Sequence, residues 1–203
     1  MRIKEGNKEE DILRAAVKVF AETGYYNAKM SKIAEVAEVA TGSLYVYYKN
    51  KEQILLRIFD IVWEKLYNNL NILYKREDLN PIEKFDSLID MIFDAFTESP
   101  AIAIVIANEQ HHLQYANPKE FTKYYDKFLD LGEKIVKEGV ENKTFNSNID
   151  INIFRHFFIG GFRDLITNWA INNDEFKLSS IRQNIKFLAK NGILNHKKNK
   201  FSL

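Results

Sequence analysis

Apolar residues recur along nearly the whole chain at intervals of three and four, the spacing that turns one face of an α-helix inward. Ile12, Leu13, Ala16, Val17 and Phe20 make the first such stripe, which stops at Thr23-Gly24-Tyr25. Ile33, Ala34, Val36 and Ala37 then give a short apolar face, Val39 plugs a turn, and Leu44 with Tyr48 gives a second short helix its inward side. Asn50 followed by Gln53 resembles a capping box; it opens a long helix with inward positions Ile54, Ile58, Ile61, Val62, Leu66, Leu70 and Leu73. The three prolines all fall at helix starts, where a missing N–H matters least, in Asn80-Pro81-Ile82-Glu83, Ser99-Pro100 and Asn117-Pro118-Lys119-Glu120. The stripes behind them run through Phe85, Leu88, Ile89, Ile92, Phe93 and Phe96, then Ile102, Val105 and Ile106, then Phe121, Tyr124, Tyr125, Phe128, Leu131 and Ile135. A loop rich in Asn and Ser over 143–150 precedes helices over 151–172 and 178–191, the last with Gly192 as its expected C-cap. Neither strand alternation nor a solenoid repeat appears, so the pattern predicts an all-α protein: three short N-terminal helices, then about six more.

The segment from Lys29 to Ile54 carries the most chemistry. Small Ala34 and Ala37 let two helices cross closely, as a helix-turn-helix requires. Between the inward residues Leu44 and Tyr48 lie Thr41, Gly42, Ser43, Tyr45, Val46 and Tyr47, which are expected to point outward, and no acidic residue interrupts Ala40 to Lys51. Such a face approaches phosphates without repulsion. Lys51 in the first turn of the next helix adds a phosphate site of the helix N-terminus kind. Two positions fit poorly. Glu38 stands at a turn position where the TetR family of bacterial transcription regulators, which this segment resembles, usually has glycine at positive φ, and this implies strain of up to about 1 to 2 kcal/mol or a different turn. Lys29 stands where that resemblance implies a Thr cap, leaving Asn27 as the alternative cap or the helix start shifted.

These residues resemble the TetR family of bacterial transcription regulators. The resemblance rests on Ile33-Ala34, Ala37, Val39, Gly42-Ser43, Leu44-Tyr45-Val46-Tyr47-Tyr48 and Asn50-Lys51-Glu52, with the upstream stripe ending at Gly24. It implies a helix-turn-helix DNA-binding domain over 1–52, continuing into a connecting helix to about 75, and a ligand-binding and dimerisation domain over 53–203. It further implies contacts to base edges by Thr41, Gly42, Ser43 and Val46, and to phosphates by Ser31, Lys32, Tyr45, Tyr47 and Lys51.

Composition changes this picture little. The chain has 203 residues, no cysteine and a net charge of +1, so disulfides and thiolate metal sites are excluded and DNA affinity must come from local placement of Lys29, Lys32, Lys49 and Lys51. No apolar run approaches the roughly 18 to 20 residues of a membrane span, and no leader pattern opens the chain, which makes a soluble cytoplasmic protein the expectation. Neighbouring His111 and His112 face different directions on a helix and lack a completing HxxxH or HxxE spacing, so no metal is expected. Neither an acid pair at DDxxD spacing, a nucleophile elbow nor a Gly-rich phosphate loop is present, which argues against an enzyme.

The last two helices show more apolar surface than one packing partner covers. Phe154, Phe158, Leu165, Ile181, Ile185 and Leu188, with Gly160-Gly161 allowing close approach, are the expected homodimer interface; burial within one subunit is the plain alternative. The resemblance favours the dimer, since family members pair through a four-helix bundle. Two reading helices about 34 Å apart then meet successive major grooves.

The middle helices suggest an elongated apolar pocket. Its expected lining is Phe93, Phe96, Val105, Asn108, Glu109, His112, Phe121, Tyr125, Phe128, Phe158, Phe162 and Trp169, although an ordinary aromatic core has the same composition. Ala103-Ile104-Val105 with Glu109, the run from Tyr125 to Gly139, and Phe158-Ile159-Gly160-Gly161 leading to Thr167-Asn168-Trp169 resemble the TetR-type FadR regulators. That resemblance implies a repressor released from operator DNA by a long-chain fatty acyl-CoA, with Lys123, Lys127, Arg155 and Arg163 as candidates for the CoA moiety. A ligand that tilts the middle helices would move the helix from Ile54 to Leu73 and spread the reading heads. The alternatives are a drug- or efflux-type regulator responding to another apolar effector, and a helical interaction module that binds no DNA. No cofactor is expected.

Overall fold

The computed structural model describes residues 8–97, 99–116, 118–172 and 177–193. The basic tail Lys197-Lys198-Asn199-Lys200 and the Asn117 cap lie outside the described residues. Among them the chain forms nine helices and no strand: α1 (Lys8–Asn27), α2 (Met30–Val36), α3 (Thr41–Tyr47), α4 (Lys51–Tyr74), α5 (Pro81–Thr97), α6 (Pro100–Ala116), α7 (Pro118–Glu141), α8 (Ile151–Ile171) and α9 (Leu178–Ile193).

The starts follow the sequence signals. Asn50 Oδ1 accepts the Gln53 N–H at 2.9 Å while Gln53 Oε1 accepts the Lys49 N–H at 2.9 Å, and Asn80 and Glu83 close a reciprocal box at the head of α5. Asp150 accepts the Ile153 N–H and caps α8. The ends follow them less well. Gly192 lies inside α9, which runs on to Ile193, and it lacks the positive φ of a C-cap. Asn27 caps nothing downstream, because its amide donates back to the Thr23 carbonyl at 3.1 Å, and Lys29 leads α2 without a side-chain cap.

Two backbone devices set the small N-terminal unit. Gly24 adopts φ 73, ψ 156, a region essentially reserved for glycine, and breaks α1 so that Tyr25 turns inward. After α2, the Val39 N–H reaches the Ala34 carbonyl at 3.0 Å and the Glu38 N–H the Glu35 carbonyl at 3.1 Å. This is a Schellman ending, and Glu38 holds its left-handed position at φ 56. The turn is therefore of the expected kind, with a non-glycine residue in it.

The remaining helices form a bundle around one apolar core. α4 and α7 pack along their length through Phe59, Trp63, Phe121, Tyr125 and Phe128. α8 crosses α6, and α9 lies on α5, where Asp86, Asp90 and Asp94 pair with Lys190, Lys186 and Arg182. None of the described helices is long and apolar enough to cross a membrane.

A candidate nucleic-acid interface and an apolar chamber

α3 is anchored from one side only. Leu44 is fully buried and Tyr48 nearly so, its hydroxyl donating to Glu9 Oε1 at 2.8 Å. Burial first, and this bond second, push the Tyr48 phenol above its ordinary range. On the opposite side Thr41 and Gly42 are exposed, Ser43 is half-buried, and Tyr45, Val46 and Tyr47 are 51%, 82% and 45% exposed. Val46, the most exposed of them, offers an apolar contact beside the two tyrosine side chains on this short helix. Ser31 and Lys32 of α2 are exposed on the same small unit, with Lys32 paired to Glu35 at 2.6 Å.

Lys51 departs from expectation. Its ammonium donates to the carbonyls of Tyr25, Tyr26 and Ala28 at 2.7, 2.8 and 3.2 Å and sits 4.6 Å from the Tyr25 ring centroid. All three of its protons have partners in the protein, so it is a clamp on the end of α1 and not an outward phosphate donor. A cation at the carbonyl end of a helix is favourable for the same reason an anion is at the other end.

The N-terminal unit meets the bundle through α6. Glu109, buried, accepts the Tyr25 N–H at 3.3 Å, and His112 lies against the rings of Tyr25 and Tyr26, with Nδ1 3.3 Å from the Tyr26 hydroxyl. Burial, then the nearby Glu52 and Glu109 carboxylates, push the Tyr25 phenol up to about 12. Glu109 and His112 thus belong to this junction and not to a pocket, and Asn108 is exposed.

The pocket itself lies elsewhere on α6. A cavity of ≈ 40 Å³ is walled by Trp63, Ile92, Phe96, Ala103, Ile106, Gln110, Phe128 and Ile159, with Arg163 at its rim. A second, of ≈ 60 Å³, continues between α5, α7 and α8 past Leu88, Gly132, Val136, Phe154 and Phe158, with Arg155 at its rim. Ile92, Phe128 and Ile159 line both, so the two adjoin as the two parts of a narrow, largely apolar chamber along the bundle. Of the expected lining, Phe96, Phe128, Phe158 and Phe162 are in place. Phe93, Val105, Phe121, Tyr125 and Trp169 are not: Phe93 packs on Phe162 under Arg182, Phe121 on Phe59, and Tyr125 on Trp63. Val105 is buried and Trp169 half-buried in the core, both outside the chamber walls. Trp63, Ile92 and Gln110 were not foreseen, because periodicity shows only that a residue faces inward, not which void it meets.

Of the cations considered, Lys123 and Lys127 lie over the rings of Tyr124 and Tyr67, away from the chamber walls. Arg155 pairs with Glu133 at 2.8 Å, and Arg163 hydrogen-bonds His111 at 2.7 Å.

α8 and α9 enclose an open apolar groove of ≈ 480 Å³. Leu165, Ile185, Leu188 and Gly161 line it, as do Phe157 and Ile193, and Phe157, Phe187 and Leu188 are 78%, 64% and 67% exposed. Gly160 lies beside it in sequence, and a Cβ at either glycine would meet nothing within one chain. Ile181 is a correction, being buried in the α5–α9 packing, and Phe154 and Phe158 also stack on Phe85 inside the bundle. Phe157 belongs to the apolar stripe that the sequence offers for pairing, whereas Phe187, next to Leu188, is not part of that expectation.

Residues 12–58 match the profile of bacterial regulatory proteins of the tetR family, and residues 65–192 match that of the C-terminal region of YsiA-like proteins. The chain is 28% identical over 190 residues to the fatty acid metabolism regulator protein of Bacillus subtilis, spanning 93% of this chain and 96% of the relative. Its fold superposes on the fatty acid degradation regulator FadR of Bacillus halodurans with a TM-score of 0.79 at 28% identity, covering 94% of this chain and 98% of the other. FadR of Bacillus subtilis, solved in complex with stearoyl-CoA, superposes with a TM-score of 0.77 at 27% identity, covering 91% and 98%. An exposed three-helix reading unit fused to a helical bundle, matched over both parts, places this chain in the TetR family of transcriptional regulators, with a C-terminal region of the YsiA-like kind.

Proposed function

We infer that the protein is a cytoplasmic homodimeric repressor that holds operator DNA through α3 and releases it when a long-chain acyl thioester enters the chamber. The observation that carries the DNA half is the outward face of α3, where Thr41, Gly42, Tyr45, Val46 and Tyr47 are exposed around two buried anchors. Thr41, Gly42 and Val46 address base edges, and Ser43 follows at the edge of that face. Ser31, Tyr45 and Tyr47 address phosphates, with exposed Lys29 and Lys49 supplying the charge that Lys51 cannot. Residues 1–52 form the reading head and the rest the effector and pairing domain.

The effector half is supported by the apolar chamber and by the similarity to FadR proteins, one of which binds stearoyl-CoA. In this structure the chamber is too narrow for a long acyl chain, so binding must part α8 from α5 and α7. α4 and α6 both border the chamber and both reach the head, through Lys51 on one and Glu109 on the other. A ligand preferring the parted state by about 2.7 kcal/mol lowers DNA affinity by up to about a hundredfold. Pairing through the open groove between α8 and α9 sets the spacing of the two heads.

Fluorescence anisotropy with DNA flanking the protein's own gene tests this. A salt-dependent, sequence-specific complex dissolved by palmitoyl-CoA is expected. Absence of any specific complex would leave only an interaction module; a complex indifferent to acyl thioesters would assign the chamber to another apolar effector.

A further inference from the structure

Among the described residues, three buried side-chain polar atoms have no hydrogen-bond partner, and one of them is Nε1 of Trp63. The indole is 6% exposed and forms part of the wall of the first cavity, among Ile92, Ala103, Ile106 and Phe128. Next to it, Gln110 also borders the cavity; its amide donates to the Tyr125 hydroxyl at 3.0 Å, and the Tyr125 ring stands edge-on to the indole at 4.7 Å. Apart from the charged side chains Arg163, Arg155 and Glu133, the chamber is apolar except around Trp63 and Gln110, and there the Trp63 N–H is unsatisfied. A buried donor without an acceptor is costly, and native structures keep few of them. A plain hydrocarbon ligand would leave the indole N–H as it is. A ligand with an oxygen at that depth would pair it.

Resting on the reading of the chamber as the effector site, we propose that the effector carries an oxygen acceptor inside the apolar chamber and that the Trp63 N–H recognises it. The oxygen is either the carbonyl of an acyl thioester or a hydroxyl or keto oxygen farther along the chain. Trp63 is in either case a specificity-determining residue: it selects an oxygenated ligand over an equally long and equally apolar one.

The test compares ligands within each protein, which cancels any general loss of packing in the variant. Full-length wild type and Trp63→Phe are titrated with palmitoyl-CoA, with S-hexadecyl-CoA, which lacks the carbonyl, and with stearoyl-CoA and 10-ketostearoyl-CoA. If the thioester carbonyl is the partner, wild type binds palmitoyl-CoA about 5- to 10-fold tighter than the thioether, the effect of one net hydrogen bond. Trp63→Phe then loses that ratio. If a chain oxygen is the partner, the keto ligand has the advantage over stearoyl-CoA in wild type alone. The ¹⁵N-labelled indole resonance lost in Trp63→Phe should move downfield only with the preferred ligand. Binding of all four ligands with the same ratios in both proteins overturns the role of Trp63 and leaves the effector reading standing. Failure of all four to bind wild type overturns the effector reading and this inference together.

Discussion

The reading head and the effector bundle are held together by different means. α2 and α3 have seven residues each, too short to persist alone, and the head compensates with point fastenings. Lys51 grips three carbonyls, Tyr48 bonds Glu9, Gln53 closes on Lys49, and Glu109 holds the Tyr25 N–H. The bundle has α4 and α7 at 24 residues each, an ion-pair ladder on its rim, and an apolar interior with unfilled space. A surface that must present fixed side chains to DNA is over-determined. On the proposed function, an interior that admits a ligand leaves space unfilled, and stability is left unused there.

The strongest way to break this comparison is to open a hole in the head. Leu44 is fully buried and is the only residue of α3 itself that is, so Leu44→Ala should cost about 2 to 5 kcal/mol. The loss should be local: hydrogen exchange should accelerate across α2 and α3 while α4, α5 and α7 keep their protection. Equal acceleration throughout would mean the two regions unfold as one unit.

Next in size is Lys51→Ala, which leaves three carbonyls at the end of α1 without their cation and should cost about 1.5 to 3 kcal/mol. Exchange at residues 25–33 should report it. The salt slope of DNA binding should stay within half a unit of wild type, whereas a direct phosphate contact would flatten it by about 1. A flattened slope with unchanged exchange would return Lys51 to the DNA.

Legibility in the sequence divides along the same line. Leu44 and Tyr48, the Asn50–Gln53 box and the outward residues of α3 are set by contacts within a few positions, and spacing reveals them. Lys51 looked like a free cation because its partners are backbone carbonyls more than twenty residues away, and a carbonyl leaves no mark in sequence. The chamber is harder still. It gathers side chains from α4 to α8, and whether Phe121 or Trp63 borders the void depends on rotations of helices that periodicity does not fix. Glu109 and Gln110 show the limit: adjacent in sequence, one latches the head and the other borders the chamber.

In the bundle a substitution of opposite sign should be available. Gly132 lies mid-way along α7 against the second cavity, and a Cβ there would meet Leu88 Cδ2 at 3.7 Å, ordinary contact. Gly132→Ala should stabilise the protein by about 1 kcal/mol through helix propensity. On the proposed function, with the acyl chain reaching the second cavity, it should also weaken binding of the longest acyl chains. Thermal denaturation and a chain-length series of acyl-CoA titrations together check it; a gain in stability with unaltered preference would place the chain elsewhere.

The smallest effect concerns the one position where the head stores strain. Glu38 holds φ 56 at the Schellman turn between α2 and α3, a conformation costing an L-residue about 1 to 2 kcal/mol. Glycine removes that cost but loses more chain entropy on folding, about 0.5 to 1 kcal/mol, so Glu38→Gly should gain roughly 0.5 kcal/mol. In a chain of this length that is a rise of about 1 to 2 °C in Tm. The backbone bonds from Val39 to Ala34 and from Glu38 to Glu35 do not involve the side chain, so the turn should keep its geometry. Specific DNA binding should strengthen slightly as an exposed negative charge leaves the head. Weaker specific binding by Glu38→Gly would show that the strained residue helps aim α3, and that even the small fastenings of the head serve the groove it must enter.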